Sequence, residues 1–308
     1  MELAAITFKQ VGVLFLLILA GYVCGRTGAV RKEDKSAFSD LLINLVLPAM
    51  VLNSYFTEYD SATGRNLILT FGLSLFAIMM GLAVTVPIIR RGEKDSVGIQ
   101  RFACVFSNAG YMGFPLIEAL FGAEGMIYAS AYVTMFNLTA WTVGIALVSR
   151  KTNGRSIATS ILKTPVIYAV AAGIFVYFLQ IPVPELLQKP ISMIGSMNTP
   201  LSMFITGMLI ASSRLDRIIR RRELWVVTFV RMLLIPAICT GFFALLGFRG
   251  MPAQVVLLLE ACPSAAMTCI VAVRYRCDEE FSAGMVVVTT LISILTLPVL
   301  ATLLGSLI

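Results

Sequence analysis

Long apolar runs alternate with short polar segments along this chain, and no polar segment exceeds about 15 residues. Crossing a bilayer takes ~20 predominantly apolar residues. Ten runs of that kind are present, near 8–25, 37–56, 66–89, 99–120, 125–148, 162–180, 191–213, 224–247, 252–273 and 282–306. Pro165, Pro182, Pro184, Gly247, Gly250 and Pro252 fall at their ends, where helix breakers belong. The pattern predicts an all-α polytopic membrane protein with ten transmembrane helices.

Two runs are interrupted. The fourth carries Ser107-Asn-Ala-Gly-Tyr-Met-Gly-Phe-Pro-Leu-Ile-Glu118, with Asn108, Gly110, Gly113 and Pro115 in apolar surroundings. The ninth carries Glu260-Ala-Cys-Pro-Ser-Ala-Ala-Met-Thr268. Such residues weaken or stop a helix. In hydrocarbon every backbone N–H and C=O needs a partner, so a break is tolerated only where protein or a water-filled cavity lines it. At ~1.5 Å per residue both breaks fall near mid-depth. Half-helix N-termini there offer N–H groups and partial positive charge to an anion, as in carriers with discontinuous helices. Gly110, Gly113, Ser264, Ala265 and Ala266 are small enough to let backbones approach.

Charge adds an orientation. The odd-numbered loops hold 19 Lys and Arg, against 4 on the opposite side. By the positive-inside rule the odd loops are cytoplasmic and both termini lie outside the cytoplasmic (inner) membrane. Gln10–Gly25 has the length of a signal-peptide core, but Met1–Lys9 holds one Glu and one Lys and no A-x-A site follows. An uncleaved first span is expected.

The same features repeat. Pro48 in span two and Pro200 in span seven lie 152 residues apart, and Pro115 and Pro263 lie 148 apart, in a chain of 308 residues. Five spans per half is odd, so the second half enters the membrane in the opposite sense. The expected architecture is a 5+5 inverted repeat, residues 1–150 and 151–308, with broken helices four and nine crossing.

Composition fits a membrane protein, with 58% hydrophobic and 13% charged residues and a mean hydropathy of +0.89. The net charge of +7 sits in short loops, so nucleic acid is not an expected partner. The run Arg214–Arg222 reads as a topology determinant touching anionic lipid headgroups. Six cysteines, Cys24, Cys104, Cys239, Cys262, Cys269 and Cys277, form no CxxC, and five lie in apolar runs as small buried residues. No histidine is present. His-based catalysis, His metal ligands and His proton relays are thereby excluded, and no enzyme, metal or cofactor is expected.

Asn108-Ala-Gly-Tyr-Met-Gly-Phe-Pro115, the Asn44…Pro48 span, Asn198-Thr-Pro200 and Glu260-Ala-Cys-Pro263 resemble the auxin efflux carrier family, in particular its bacterial members related to the plant auxin exporters. The resemblance covers essentially the whole chain. It implies a scaffold from spans one, two, six and seven and a transport domain from spans three to five and eight to ten. It also implies an elevator-type movement, and the homodimer found in the plant proteins. The large central loop of long plant exporters is absent, since Arg150–Lys163 is about 14 residues. Their Asn-Pro-Asn pattern is absent as well, and the bacterial relatives point to small dicarboxylates such as malate or malonate.

The substrate-binding candidates are Asn108, Gly110, Tyr111, Pro115, Pro263, Ser264, Asn44, Asn137 and Asn198. Asn44, Asn137 and Asn198 serve equally well as interhelical hydrogen-bonding groups, the role assigned to Asn53. Tyr111 either gates the site or packs in the core. Glu260 is the candidate for proton or ion coupling, because a carboxylate at that depth is costly unless paired, solvated or protonated. Arg231, in span eight, is its alternative structural partner; otherwise it holds the substrate anion or snorkels to the cytoplasm. Glu118 lines an external path or faces water, and Asp40 is an N-terminal helix charge. The expected function is secondary transport of a small organic anion by alternating access. A sodium-coupled bile-acid-type symporter is the runner-up, and needs more oxygen ligands than Glu260 alone supplies.

Overall fold

A computed structural model describes residues 2–31, 35–56, 61–90, 94–149, 165–212 and 218–307. The loop Arg150–Lys163, Lys32, Arg91, and Arg214 and Arg217 of the basic run lie outside the described residues. Among the described residues the protein is helical, with one isolated antiparallel bridge. Its elements are α1 (Glu2–Thr27), α2 (Lys35–Leu41), α3 (Leu47–Ser54), α4 (Ser61–Ile88), α5 (Lys94–Val105), α6 (Phe114–Thr139), α7 (Ile145–Val148), α8 (Pro165–Leu179) and α9 (Glu185–Ser196). They continue as α10 (Asn198–Ser212), α11 (Arg222–Phe229), α12 (Ile235–Leu245), α13 (Met251–Glu260), α14 (Met267–Tyr275) and α15 (Glu279–Leu307). Six helical stretches among the described residues are long and apolar enough to cross a membrane: 37–54, 63–88, 109–148, 185–212, 222–245 and 279–304. Shorter apolar helices cover 12–27, 165–178 and 251–260. The stretch 109–148 is interrupted at Gly122, whose φ of 59° and ψ of −149° only glycine adopts readily.

Single π-helical turns punctuate the helices at Leu42–Val46, Ala109–Gly113, Ala140–Gly144 and Val230–Leu234. Three of them precede a proline at the first turn of the next helix, Pro48, Pro115 and Pro236. Proline lacks an N–H and its ring collides with the carbonyl four residues back. One extra residue in the turn relieves that clash, which is how a π-bulge absorbs a proline. Pro87 and Pro298 instead sit inside continuous helices.

Helix contacts follow small residues. On α1, a Cβ at Gly21 would lie 2.4 Å from the Phe204 carbonyl oxygen, and one at Gly207 of α10 would lie 2.0 Å from the Ile18 carbonyl oxygen. Gly25 faces Ala211 in the same seam. Helices in lipid associate by close packing of this small-xxx-small kind, because apolar burial gives little drive there. Gly173 admits the ring of Tyr55 against α8, and Gly195 admits the backbone of Met50 against α9. The larger core cluster spans α3 to α15 and includes Phe102, Phe106, Tyr132 and Leu257. A second joins Leu14 and Ile18 of α1, Leu42 and Val46, Met203 and Met208 of α10, and Tyr111, Met112 and Cys262 beside the breaks.

Candidate functional site

Between α5 and the turn at Ala109 the backbone leaves the helix at Phe106–Asn108, and between α13 and α14 it leaves at Ala261–Ala266. These two irregular segments meet. Asn108 N–H donates to the Pro263 carbonyl (2.7 Å) and Ala265 N–H donates to the Phe106 carbonyl (2.9 Å), pairing Ser107 with Ser264 as a short antiparallel bridge. Pro263 lacks the N–H needed to continue α13, Pro115 is absorbed by the π turn that follows the first interruption, and the small residues permit the approach. A Cβ at Gly113 would lie 2.4 Å from the Leu259 side chain.

Four half-helix ends come together there, and their orphan groups have different fates. The carbonyls that end α5 and α13 carry partial negative charge. They surround Arg231, which is fully buried in the π turn before α12. Its guanidinium donates to the carbonyls of Cys262 (3.0 Å), Cys104 (2.9 Å) and Val105 (3.2 Å), and to that of Glu260. It also pairs with the Glu260 carboxylate at 3.0 Å, and both side chains have 0% exposure. The second Glu260 oxygen accepts from Tyr132 (2.5 Å), whose hydroxyl is 3.0 Å from Ser107 Oγ. A cation at two helix C-termini with a matched carboxylate satisfies every strong charge where the two breaks meet, the condition under which buried ions are tolerated.

The N–H ends are used differently. At the second break Ser264 N–H donates to Thr289 Oγ1 (3.1 Å) and Ser264 Oγ to the Ala103 carbonyl (2.8 Å). At the first, Met112 N–H is the first to reach back to a carbonyl, that of Asn108. The N–H groups of Ala109, Gly110 and Tyr111 precede it and have no acceptor in their own helix. Asn108 is 4% exposed, and its Nδ2 is one of the few buried polar atoms without a hydrogen-bond partner among the described residues.

A cavity of about 340 Å³ opens beside this end. Asn44, Ser107, Asn108, Gly110, Tyr111, Asn137 and Asp40 give it polar groups, and Phe136, Trp141 and Ile270 are among its apolar walls. Its size is that of a small-molecule pocket with a few convergent polar groups. A second cavity, about 480 Å³, lies between α3, α6, α9 and α10, with Asn53, Glu118, Gln188 and Thr199 on its walls. Between the two, Asn198 Nδ2 donates to the Gly110 carbonyl (3.1 Å) and Ser202 Oγ to that of Tyr111 (3.2 Å).

Comparison with known proteins bears on what such paired breaks are for. The family model described as "Membrane transport protein" matches residues 6–161 and 150–301. The chain belongs to this family. It is the auxin efflux carrier family that the sequence resembles, and its members are transporters, not enzymes. Similar curated proteins include an "Uncharacterized transporter" of Methanothermobacter thermautotrophicus, 22% identical over 92% of this chain and 94% of its own length. A Rhizobium meliloti protein named "Putative malonate transporter" is 24% identical over 92% and 91%. The Escherichia coli "Uncharacterized transporter YfdV" is 19% identical over 92% and 93%.

Of the residues singled out in this membrane transport protein from its sequence, Asn44, Asn108, Gly110, Tyr111 and Asn137 line the cavity. Asn137 Nδ2 is spent on the Val133 carbonyl (2.8 Å). Pro263, Ser264 and Asn198 are each hydrogen-bonded to α5 or to the first break, and Pro115 is buried at the first turn of α6. Glu260 and Arg231 are paired with each other away from the cavity wall, and Glu118 belongs to the second cavity. Sequence reasoning missed Tyr132, Thr289 and Ser202, single hydroxyls in apolar runs with no spacing signal to mark them. It also missed the apolar wall of Val133, Phe136 and Trp141.

Proposed function

We propose that the protein is a secondary carrier of a small carboxylate, held at the crossing of two discontinuous helices in a ten-span, 5+5 inverted repeat. The observation that carries this is the first break, where the buried Asn108 Nδ2 has no hydrogen-bond partner among the described residues beside a cavity of about 340 Å³, and the N–H groups that open the Ala109 turn have no acceptor in their own helix. A carboxylate supplies the acceptors those donors lack. The relative named for malonate supports a carboxylate cargo by similarity.

Cavity residues Asp40, Trp141, Pro165 and Ile270 adjoin the basic loops, so under the positive-inside rule this cavity faces the cytoplasm. Glu118, Gly122 and Gln188 adjoin the opposite side, so the second cavity is the external vestibule. Alternating access then exposes the crossing to each in turn. The close α1–α10 seam supports a rigid scaffold made with α2, α3, α8 and α9, against which the remaining helices move in elevator fashion. Inner-membrane residence with both termini outside, lipid contact along the exposed apolar faces and a homodimer complete the proposal.

In this scheme Glu260 and Arg231 hold the crossing rather than couple an ion. The test is uptake of radiolabelled malonate into proteoliposomes, with and without a Na⁺ or pH gradient. Saturable uptake above empty vesicles is expected. Its absence for malonate, malate and monocarboxylates alike overturns the assignment, and dependence on Na⁺ would favour the bile-acid-type symport scheme.

A further inference from the structure

Resting on the carboxylate proposal above, we infer that the site accepts its cargo as a monoanion, so that a dicarboxylate binds only in its singly protonated form. Charge bookkeeping at the crossing carries this. Among the described residues that line the cavity there is no Lys or Arg, and the sole charged group is the exposed carboxylate of Asp40 at the mouth. The buried cation nearby, Arg231, is neutralised by Glu260 and spent on four carbonyls. Among the described residues, what remains for an anion is the start of two helices. One begins at Ala109. The other is α14, whose Met267, with the preceding Ala265, lines the same cavity.

Each helix N-terminus is equivalent to roughly +0.5 charge, so the pair offsets about one negative charge and not two. Asn108 adds an unspent neutral donor, and Asn44 and Asn137 add dipoles but no charge. A second carboxylate would have to sit against Phe136, Trp141, Val133 or Ile270, or beside Asp40. Burying an unpaired carboxylate in such surroundings costs far more than protonating it. A proton on the distal carboxyl converts it to a neutral group suited to that wall.

The discriminating measurement is the affinity of the purified full chain in detergent for malonate and for monomethyl malonate, which never carries two charges. Both are titrated as pH is raised through the second ionisation of malonate. When only the monoanion binds, apparent Kd rises as its fraction falls, by about tenfold per pH unit above that ionisation. Malonate is expected to weaken on that slope relative to the ester, which serves as the internal control for titration of the protein itself. Asn44→Lys, which puts a cation on the cavity wall, is expected to flatten the difference. Malonate binding that holds level with the ester, or tightens as pH rises, overturns the monoanion inference and leaves the carboxylate site standing. Binding of neither ligand at any pH overturns both.

Discussion

The two helix breaks are made of similar parts and end in different conditions. Each has a proline and small residues, and each gives one N–H and one carbonyl to the bridge between Ser107 and Ser264. Beyond that bridge they diverge. At the second, Ser264 gives its N–H to Thr289 and its hydroxyl to Ala103, while the carbonyls of Glu260 and Cys262 are capped by Arg231. At the first, the carbonyls of Cys104 and Val105 are capped by the same arginine and the Asn108 N–H goes to the bridge, but the Asn108 Nδ2 has no partner among the described residues. In the proposed scheme the second break mainly holds the structure, and the first supplies the unpartnered side-chain donor that meets the cargo. One buried cation serves both halves, so neither break can be understood without the other.

The largest effect should come from removing that cation. Arg231→Met leaves four carbonyls uncapped and the Glu260 carboxylate buried without its partner. Breaking such a pair typically costs about 3–5 kcal/mol. Thermal unfolding of the detergent-solubilised protein should show a Tm depressed far more than for any cavity substitution, with little monodisperse material recovered. Adding Glu260→Leu should recover only part of the loss, because the carbonyls stay bare. Full recovery would mean that the arginine neutralises the carboxylate and does not cap the breaks. Glu260→Gln alone should lower Tm and leave the pH profile of uptake unchanged. A flattened profile would instead assign proton coupling to Glu260.

Asn108→Ala should separate the two conditions. Its Nδ2 makes no bond within the protein, so its removal strands no partner and Tm should change far less than for Arg231→Met. Losing a donor to a charged group typically costs about 1.5–3 kcal/mol, which corresponds to roughly ten- to hundredfold in affinity. Malonate affinity and uptake should fall by that factor in proteoliposomes of matched protein content. Wild-type uptake at unchanged Tm would remove the first break from the binding role.

The path from sequence to this picture was uneven. Asn108, Gly110, Pro115 and Pro263 were legible because polar and helix-breaking residues stand out in an apolar run, and because bilayer physics restricts where a break can lie. The charge rhythm marked the loops for the same reason. What pairs between the two breaks was legible only in part: the Glu260–Arg231 pair was one of two readings, and the carbonyl partners were not marked. Arg231 admits several partners when read alone, and only the convergence of α5, α13 and the π turn before α12 selects four carbonyls and Glu260 from them. Tyr132 and Thr289 carry no signal, since one hydroxyl in a helix normally bonds to its own backbone. The α1–α10 seam was written as Gly21, Gly25, Gly207 and Ala211, but glycine is common in membrane helices and spacing alone does not say which partner it faces.

Ser264→Ala probes the spent break at smaller scale. It deletes the hydroxyl bond to Ala103 and keeps the backbone bond to Thr289. The expected loss is about 0.5–1.5 kcal/mol of stability, read as a modest fall in Tm, with malonate affinity unchanged. A selective loss of affinity at constant Tm would place the Ser264 hydroxyl itself against the ligand.

Gly110→Ala asks the finest question, whether the cargo touches the backbone itself. Gly110 lines the cavity, and a Cβ there would meet only the Leu47 side chain, at an ordinary 3.6 Å. The protein has room for the methyl group, and a helix position gains from replacing glycine with alanine, by up to about 1 kcal/mol. Tm should therefore hold or rise slightly. If the carboxylate rests on the N–H groups that follow Asn108, the added methyl stands in its way, and affinity should fall several-fold for malonate and monomethyl malonate alike. Equal affinity at a raised Tm would mean that the Asn108 amide binds the cargo without help from the helix end. The first break would then differ from the second by one side chain rather than by an open row of peptide groups.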